Sequence, residues 1–445
     1  MNSTVKSRAS LIDLLRAKLG SLPLLGVLLI AASSSMAEPV EFHQAIELAI
    51  KHSGIVLGAE ADRSRAIRRY DAERYAYYPT VVFGSGIGYS FGQPIAVAGQ
   101  APSILNVTHT QTVYNAATKL NIKAAKTDFV ATDLDYQDRT DQVVLDTALL
   151  YIELDSVQQR LATAQQQKQS ADKALYIAQQ RQQEGVGSAI DSKRAELDAA
   201  RVDLRIDELE TNADTLRERL ARAIGEPAAT LTTVSSSIPA PPAPPAYEDT
   251  ALAALANSIS IRAADERVRA AHQRARAQHK VNYPSIEFAG QYALFANELN
   301  NYADFYRKFS RHNYSFGLNF RIPLFNLSQN ALAAAADAEA LKAEADAEVL
   351  RSQVAAEAVR ARHTVRHLEA TARVSRLEYE VAQANIDAVK LQTEQGQAGA
   401  REQELAQADV AARQLLLLET QFDYLRAQLQ LLRQLGGMRE WALAK

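Results

Sequence analysis

The chain has 445 residues, a formal net charge of −3 and no cysteine. The absence of cysteine excludes disulfides, thiolate metal sites, thiol nucleophiles and a lipid anchor on an N-terminal cysteine. The slightly acidic balance excludes the strongly basic surface that non-specific nucleic-acid binding requires.

The first 37 residues have the pattern of a secretion signal. Four basic residues precede an apolar run at positions 22–32, and small residues at positions 35 and 37 suit a signal peptidase. We therefore predict cleavage before Glu38 and export of the remaining chain. The alternative is a single membrane anchor, but the run is shorter than the roughly 20 residues of a spanning helix.

The sequence contains two copies of one pattern. Residues recur at a distance of first 205 and then 211 positions, in pairs that include Tyr78 and Tyr283, Asn115 and Asn326, Gly185 and Gly396, Gly225 and Gly436. The change in distance places a length difference in the stretch from about residue 90 to 111, where a loop tolerates it. The duplication predicts one architecture built from two similar halves.

Long stretches without glycine or proline predict long helices. They run from Pro102 to Gly185 and from Pro323 to Gly396, far beyond the roughly 11–12 residues of an average helix. Within them, apolar residues recur in alternating steps of four and three, which is the period of a coiled coil. Lys168 is the one charged residue in the first row. The same period resumes at positions 195–220, after a glycine turn, and this predicts an antiparallel helical hairpin.

Four segments alternate apolar and polar residues as strands do. The rows in the second copy are Ile286, Phe288, Tyr292, Leu294 and then Tyr314, Phe316, Leu318, Phe320, Ile322. Those in the first copy are Val81, Phe83, Ile87, Tyr89, Phe91 and then Leu105, Val107, Val113, the last interrupted by His109 and Gln111. Strands of about 10 residues with one apolar face suit a membrane barrel. A soluble sheet packed on the helices would show the same alternation.

Each copy is predicted to contain a helix, a strand pair and a long helical hairpin. We place the first repeat at 38–237, a proline-rich linker at 238–247 and the second repeat at 248–445. The linker should be extended and semi-rigid. The expected fold class is α+β, mostly α, with long antiparallel coiled-coil helices and four strands per chain.

Four strands are too few to close a membrane barrel, since closed barrels need about eight or more. Every strand edge in lipid must be paired, so several chains would have to pool their strands. A cyclic homotrimer would supply twelve strands and a continuous channel.

The chain resembles the TolC-type outer-membrane efflux protein family, the outer membrane factors. The resemblance covers essentially the whole mature length. It rests on positions 45–79 and 251–284 with the strand after each, on Pro323-Leu324-Phe325-Asn326 and its echo Thr112-Val113-Tyr114-Asn115, and on 185–191 leading to Leu220 and 224–227. It implies a trimeric twelve-stranded barrel in the outer membrane and a helical tunnel across the periplasm.

The resemblance also implies a passive exit duct for drugs or other small molecules, and neither catalysis nor a cofactor. Expected partners are two further copies, outer-membrane lipid, a periplasmic adaptor (membrane fusion) protein and an inner-membrane pump of the RND or ABC type, but no nucleic acid. Within this class, the alternative is the exit duct of a type I protein-secretion system. An alternative of another class is a periplasmic coiled-coil scaffold whose sheet never meets lipid.

Two sites follow from the resemblance. The adaptor-docking tips match the hairpin turns Gly185, Val186, Gly187, Ser188 and Gly396, Gln397, Ala398, Gly399. In the family, acidic residues just past the second tip narrow the periplasmic aperture. Glu402 lies where one of them is expected and Glu404 is close, whereas Leu405 occupies the second acidic position. A ring of carboxylates would attract cations; the alternative is that single glutamates face solvent.

Other candidate chemistry is sparse. His363 and His367 have the spacing of metal ligands on a helix, but no acidic partner is evident, so we interpret them as a surface pair and predict no metal site. Arg307, Lys308 and Arg311 fall in the expected external loop, where contact with lipopolysaccharide is the alternative to simple solvation. No catalytic motif is present.

Overall fold

The computed structural model describes residues 39–86, 103–228, 231–246, 249–295, 310–397 and 399–443. The predicted signal and its cleavage site lie outside the described residues. So do Ala398, Arg307, Lys308 and the predicted strand residues Ile87, Tyr89 and Phe91.

The described fold is mostly helical, with a few strands. The first half contains β1 (Pro39–Val40), α1 (Phe42–His52), α2 (Gly54–Tyr75), β2 (Thr80–Gly86), β3 (Ser103–Tyr114), α3 (Ala116–Gln183), α4 (Ala189–Ile224) and β4 (Thr232–Thr233). The second half contains α5 (Thr250–Asn257), α6 (Ile259–Lys280), β5 (Ser285–Phe295), β6 (His312–Arg321), α7 (Leu327–Glu394), α8 (Ala400–Gln434) and α9 (Met438–Leu443).

The two halves repeat each other closely. Helices α2 and α6 both have 22 residues, and α3 and α7 both have 68. Their starting residues differ by the same 205 and 211 positions as the sequence pairs, so the duplication is confirmed. The finer boundaries of repeats and linker stay a prediction.

The first helical segment of each copy is two helices, where the sequence pattern predicted one. Ser53 separates α1 from α2 with an extended backbone (φ −66°, ψ 119°), and Ser258 separates α5 from α6 in the same way (φ −60°, ψ 120°). Each serine hydroxyl accepts a hydrogen bond at 3.4 Å from a backbone N–H of the following helix. Serine is a favoured helix cap because its oxygen satisfies such a donor.

Helix α3 is the centre of the helical layer and is about 100 Å long at about 1.5 Å per residue. It packs against α2 and α6 along its first half and against α4 and α8 along its second half. Helix α7 packs in turn against α6 and then α8. The order is therefore α2–α3–α6–α7 near the strands and α4–α3–α8–α7 at the far end.

The predicted coiled-coil rows are the buried faces of the hairpins. In α3, Val143, Leu154 and Ala164 are buried, and Val365 and Ala382 are buried in α7. Ion pairs mark the rims of these faces. Lys168, the charged exception in the first row, contacts Asp172 at 2.9 Å and Asp203 of α4 at 2.7 Å. Hydrogen bonds to these carboxylates raise the pKa of the Lys168 ammonium.

The largest core lies where the two ends of the described chain meet. Phe42 of α1 packs edge-on against Tyr151 of α3 and against Trp441 of α9, with ring centroids 5.4 and 5.3 Å apart. The indole N–H of Trp441 donates to the Pro239 carbonyl at 3.3 Å. The hydroxyl of Tyr151 donates to the Val40 carbonyl at 2.7 Å. The contacts of Phe42, Tyr151 and Trp441, here called the belt, hold α1, α3, α9 and the linker together.

A buried ion pair holds the C-terminal elements to α3. Asp141, which is almost fully buried, lies 2.7 Å from Arg439, and Asp138 lies 2.6 Å from Arg433. Burial raises the pKa of the Asp141 carboxyl, and the two arginines only partly offset this. The carboxylate depends on these cations because an unpaired buried charge is costly.

Candidate functional site

The first predicted docking tip is a tight turn between α3 and α4. Gly185 has a left-handed φ of 77°, which side chains with a Cβ rarely adopt. A Cβ on Gly187 would lie 2.9 Å from the backbone of Arg181, so only glycine fits there. Ser188 caps the start of α4. The turn is fixed by its backbone, and Val186 remains 70% exposed at its apex.

The second tip repeats this geometry between α7 and α8. Gly396 has a φ of 74°, and the Gln397 N–H donates to the Gln392 carbonyl at 2.8 Å. The Gly399 N–H donates to the Glu402 carboxylate at 3.0 Å. The described residues of both tips therefore share the same turn geometry.

The two tips lie side by side at the end of the molecule that is farthest from the sheet. Arg401 of α8 is 3.7 Å from Asp191 of α4, and Gln407 donates to Ser170 of α3 at 3.3 Å. The structure thus brings the described tip residues of both turns to one end. Adaptor docking at these two tips stays a prediction.

A polar groove adjoins the first tip. It has a volume of about 610 Å³ and is lined by Gln179, Gln182, Gln183, Ala189, Ser192, Lys193 and Glu196. The apolar row between α3 and α4 gives way here to glutamines. A partner at this groove would meet hydrogen-bonding groups, whereas one at the apex would meet Val186.

The predicted aperture residues lie in the first turns of α8. Glu402 caps that helix through its bond to Gly399, an arrangement in which the carboxylate also faces the positive end of the helix dipole. Glu404 and Leu405 are exposed nearby. Glu402 thus has a structural contact that its position three residues after the cap Gly399 could have indicated. The carboxylate ring itself stays a prediction.

The remaining candidates are scattered. His363 and His367 are exposed on α7, and Arg311 precedes β6. Among the described residues, no group of three or more His, Cys, Asp and Glu side chains is placed to hold a metal ion. In the same part of the chain, no helix combines the length and apolar character needed to cross a membrane.

The four long strands form one antiparallel sheet in the order β2-β3-β5-β6. The two copies join at its centre, where β3 pairs with β5, for example Thr108 with Gln291. Strands β2 and β6 each have one edge that no described strand covers. A sheet with two free edges can accept further strands.

The strand register sorts the side chains of the sheet onto two faces. One face carries large apolar groups, paired across β5 and β6 as Ile286 with Phe320, Phe288 with Leu318 and Tyr292 with Tyr314. The other face carries small or polar groups such as Asn106, Thr108, Gln291, Ser315 and Asn319. His109, Gln111 and His312 are the polar exceptions on the apolar face.

The apolar face is uncovered in the described part of the chain. Phe83 and Phe316 are each 74% exposed, and Phe320 is 69% exposed. A soluble sheet packed on helices would bury these rings. Such a large exposed apolar surface indicates a lipid or protein contact.

The sequence matches the family model of the outer membrane efflux protein over residues 45–226 and 252–437. A search of the curated proteins finds no match.

Solved structures share the fold. OprN, described as an outer-membrane channel, is 18% identical, with a TM-score of 0.71 over 90% of each chain. The outer membrane protein VceC of Vibrio cholerae is 17% identical, with a TM-score of 0.69 over 89% of this chain and 96% of that one. The CmeC channel of Campylobacter jejuni is 13% identical, with a TM-score of 0.70 over 89% and 85%.

The chain contains two copies of the family pattern, an amphipathic β-sheet and two paired helical hairpins. The family match spans most of both halves, and the alternative of a periplasmic scaffold has no comparable support. The protein therefore belongs to the outer membrane efflux protein family and is an efflux channel of the outer membrane, not an enzyme.

Proposed function

We propose that this channel is the trimeric exit duct of a tripartite efflux system. It passively conducts drugs or other small molecules that an inner-membrane pump of the RND or ABC type delivers through a periplasmic adaptor protein. The observation that carries the proposal is the amphipathic sheet, whose two outer edges no described strand covers, continuous with helical hairpins whose longer arms are about 100 Å long.

The two lateral sides of the folded chain differ from each other, and this supports head-to-tail association of copies. Strand β2 and helix α4 lie at one edge, and strand β6 and helix α7 lie at the other. Each edge helix carries exposed apolar residues at multiples of seven positions, namely Ile190, Leu197 and Leu204 on α4 and Val374 and Val381 on α7. Rows of this period pack against partner helices. Edges of different composition give a heterologous contact, which closes into a ring when the rotation fits.

Closure of the sheets of several copies into one barrel accounts for the exposed apolar face. In lipid, both free edges must be paired and the apolar face must point outward. Three copies supply twelve strands, enough for a closed barrel, whereas one copy supplies too few. The polar face then lines the channel.

Cysteine cross-linking tests the ring in a chain that has no cysteine of its own. Leu204 and Val381 lie at similar heights above their tips, 15 and 13 residues from Ala189 and Glu394. We expect the double variant L204C/V381C, oxidised in membranes, to yield covalent dimers and trimers on a non-reducing gel. The measurement is the mass of the cross-linked species.

The two single-cysteine variants are the matched controls, and neither should give a trimer. A double variant that stays monomeric, together with a monomeric mass for the detergent-extracted wild type, would contradict the trimer. Cross-links that extend beyond three copies would contradict closure.

A substitution at the first tip tests adaptor docking. Val186 is 70% exposed at the apex, so V186D should leave the fold intact while placing a charge on the docking surface. We expect cells that carry V186D to become as sensitive to exported drugs as cells without the gene, and the adaptor to be lost on purification. Drug susceptibility and adaptor recovery are the measurements.

L252D is the matched control, because Leu252 is 68% exposed but lies in α5, far from the tips. It should behave like the wild type. Unchanged drug susceptibility in the gene deletion, with loss of a secreted polypeptide from the medium, would replace efflux by type I secretion. Normal adaptor recovery with V186D would contradict docking at this tip.

A further inference from the structure

The polar face of the sheet carries very few charges. Strands β2, β3, β5 and β6 contain one acidic residue, Glu287, and one basic residue other than histidine, Arg321. Glu287 lies opposite Thr112 and Asn319, and Arg321 lies opposite Ser285. Since side chains alternate along a strand, both charges project on the polar face.

The two charges are close neighbours at one end of the sheet. Ser285 opposes Arg321 and Glu287 opposes Asn319. Glu287 and Arg321 are therefore diagonal neighbours on adjacent strands, with Cα atoms about 7–8 Å apart. Strand β5 begins two residues before Glu287, and β6 ends at Arg321. Both residues therefore lie at the end that adjoins the helices, which is the periplasmic end in the proposed duct.

Within the proposed trimer, on which this inference rests, the polar face lines the channel. We propose that three copies of Glu287 and three of Arg321 form a charge-balanced ring at the periplasmic end of the barrel. The ring cancels local preference between cations and anions, so that solutes of either sign pass from the helical tunnel into the barrel. The rest of the polar face in the described strands offers amides, hydroxyls and small groups.

The balance predicts opposite effects for the two single neutral variants. Removing Glu287 leaves three positive charges and favours anions, whereas removing Arg321 leaves three negative charges and favours cations. Removing both restores neutrality. Because a unit charge several ångströms from an ion in water changes its energy by about RT, each single change should alter the cation-to-anion permeability ratio by about twofold or more.

Reversal potentials of purified channels in planar bilayers test the ring. The measurement uses a KCl gradient around 0.01 M, where the Debye length is about 30 Å and wall charges are weakly screened. We expect E287Q to shift the permeability ratio toward chloride and R321Q to shift it toward potassium. The E287Q/R321Q channel should match the wild type. N319S alters the same face without changing charge and should produce no shift.

The possible results distinguish failure of the charge-balanced ring from failure of the proposed duct. Channels that conduct normally, with the same reversal potential in all variants, would overturn the ring and leave the duct intact. Shifts in the same direction for E287Q and R321Q would also overturn it. A purified wild-type protein that forms no conducting channel would overturn the proposed duct, and the ring with it.

Discussion

Replacing Phe316 with arginine is expected to prevent most of the protein from reaching the outer membrane, whereas the same change at the next residue, Ser315, is expected to be tolerated. Phe316 is the fifth residue of the ten-residue strand β6 and is 74% exposed on the apolar face. Its ring lies over Gly290 of β5, where an added Cβ would approach it to 3.3 Å. In the proposed barrel this position is near the middle of the bilayer.

The size of the effect expected for F316R follows from the contact of this side chain with lipid. An arginine on the lipid face near the bilayer midplane costs about 2–4 kcal/mol per chain, and a trimer carries the change three times. Ser315 pairs with Gln291 on the polar face, where a charged side chain stays in water. The measurement is the fraction of each variant recovered as folded trimer in purified outer membranes. Equal recovery of F316R and S315R, or the reverse order, would contradict the assignment of the faces.

Replacing Trp441 with alanine is expected to give the largest loss of folding stability. Its indole is only 7% exposed and packs against Phe42, and its N–H binds the Pro239 carbonyl. Truncation of a buried aromatic to alanine costs about 3–5 kcal/mol because the lost packing leaves a cavity. The measurement is urea or thermal unfolding followed by the helical circular dichroism signal.

W441F is the matched control. It keeps an aromatic ring against Phe42 but loses the hydrogen bond to Pro239, worth about 1 kcal/mol, and part of the buried volume, so its cost should lie below that of W441A. Unfolding midpoints for W441A and W441F that coincide would show that the packing around α9 contributes little. A W441A protein as stable as the wild type would contradict the role of the belt.

Much of the fold was predictable because its signals are local. Glycine-free stretches with a regular apolar period predicted α3 and α7, and strict alternation predicted β5 and β6. The paired glycines at 185 and 396 indicated both turns. These features depend on residues within a few turns or strand positions of one another.

Other parts were not predictable because they depend on distant partners. The contact of Phe42 with Trp441 joins residues about 400 positions apart, and that of Tyr151 with Val234 joins residues 83 positions apart. The breaks at Ser53 and Ser258, each of which caps the following helix, were missed because the pattern predicted one continuous helix. The proximity of Glu287 and Arg321 became apparent only once the register of β5 on β6 was known.

The pairing of β3 with β5 has a consequence for biogenesis. Thr108 and its partner Gln291 are separated by 183 positions, so the central ladder cannot form until most of the chain has emerged. At about 5–20 residues per second of synthesis, that delay is roughly 10–40 s. During this time β3 has no partner strand along the edge that later pairs with β5, and such a free edge can pair with another chain. We expect this unpaired edge to make the partly exported chain prone to aggregation, and the aggregation should fall when the second half is supplied in advance as a separate polypeptide.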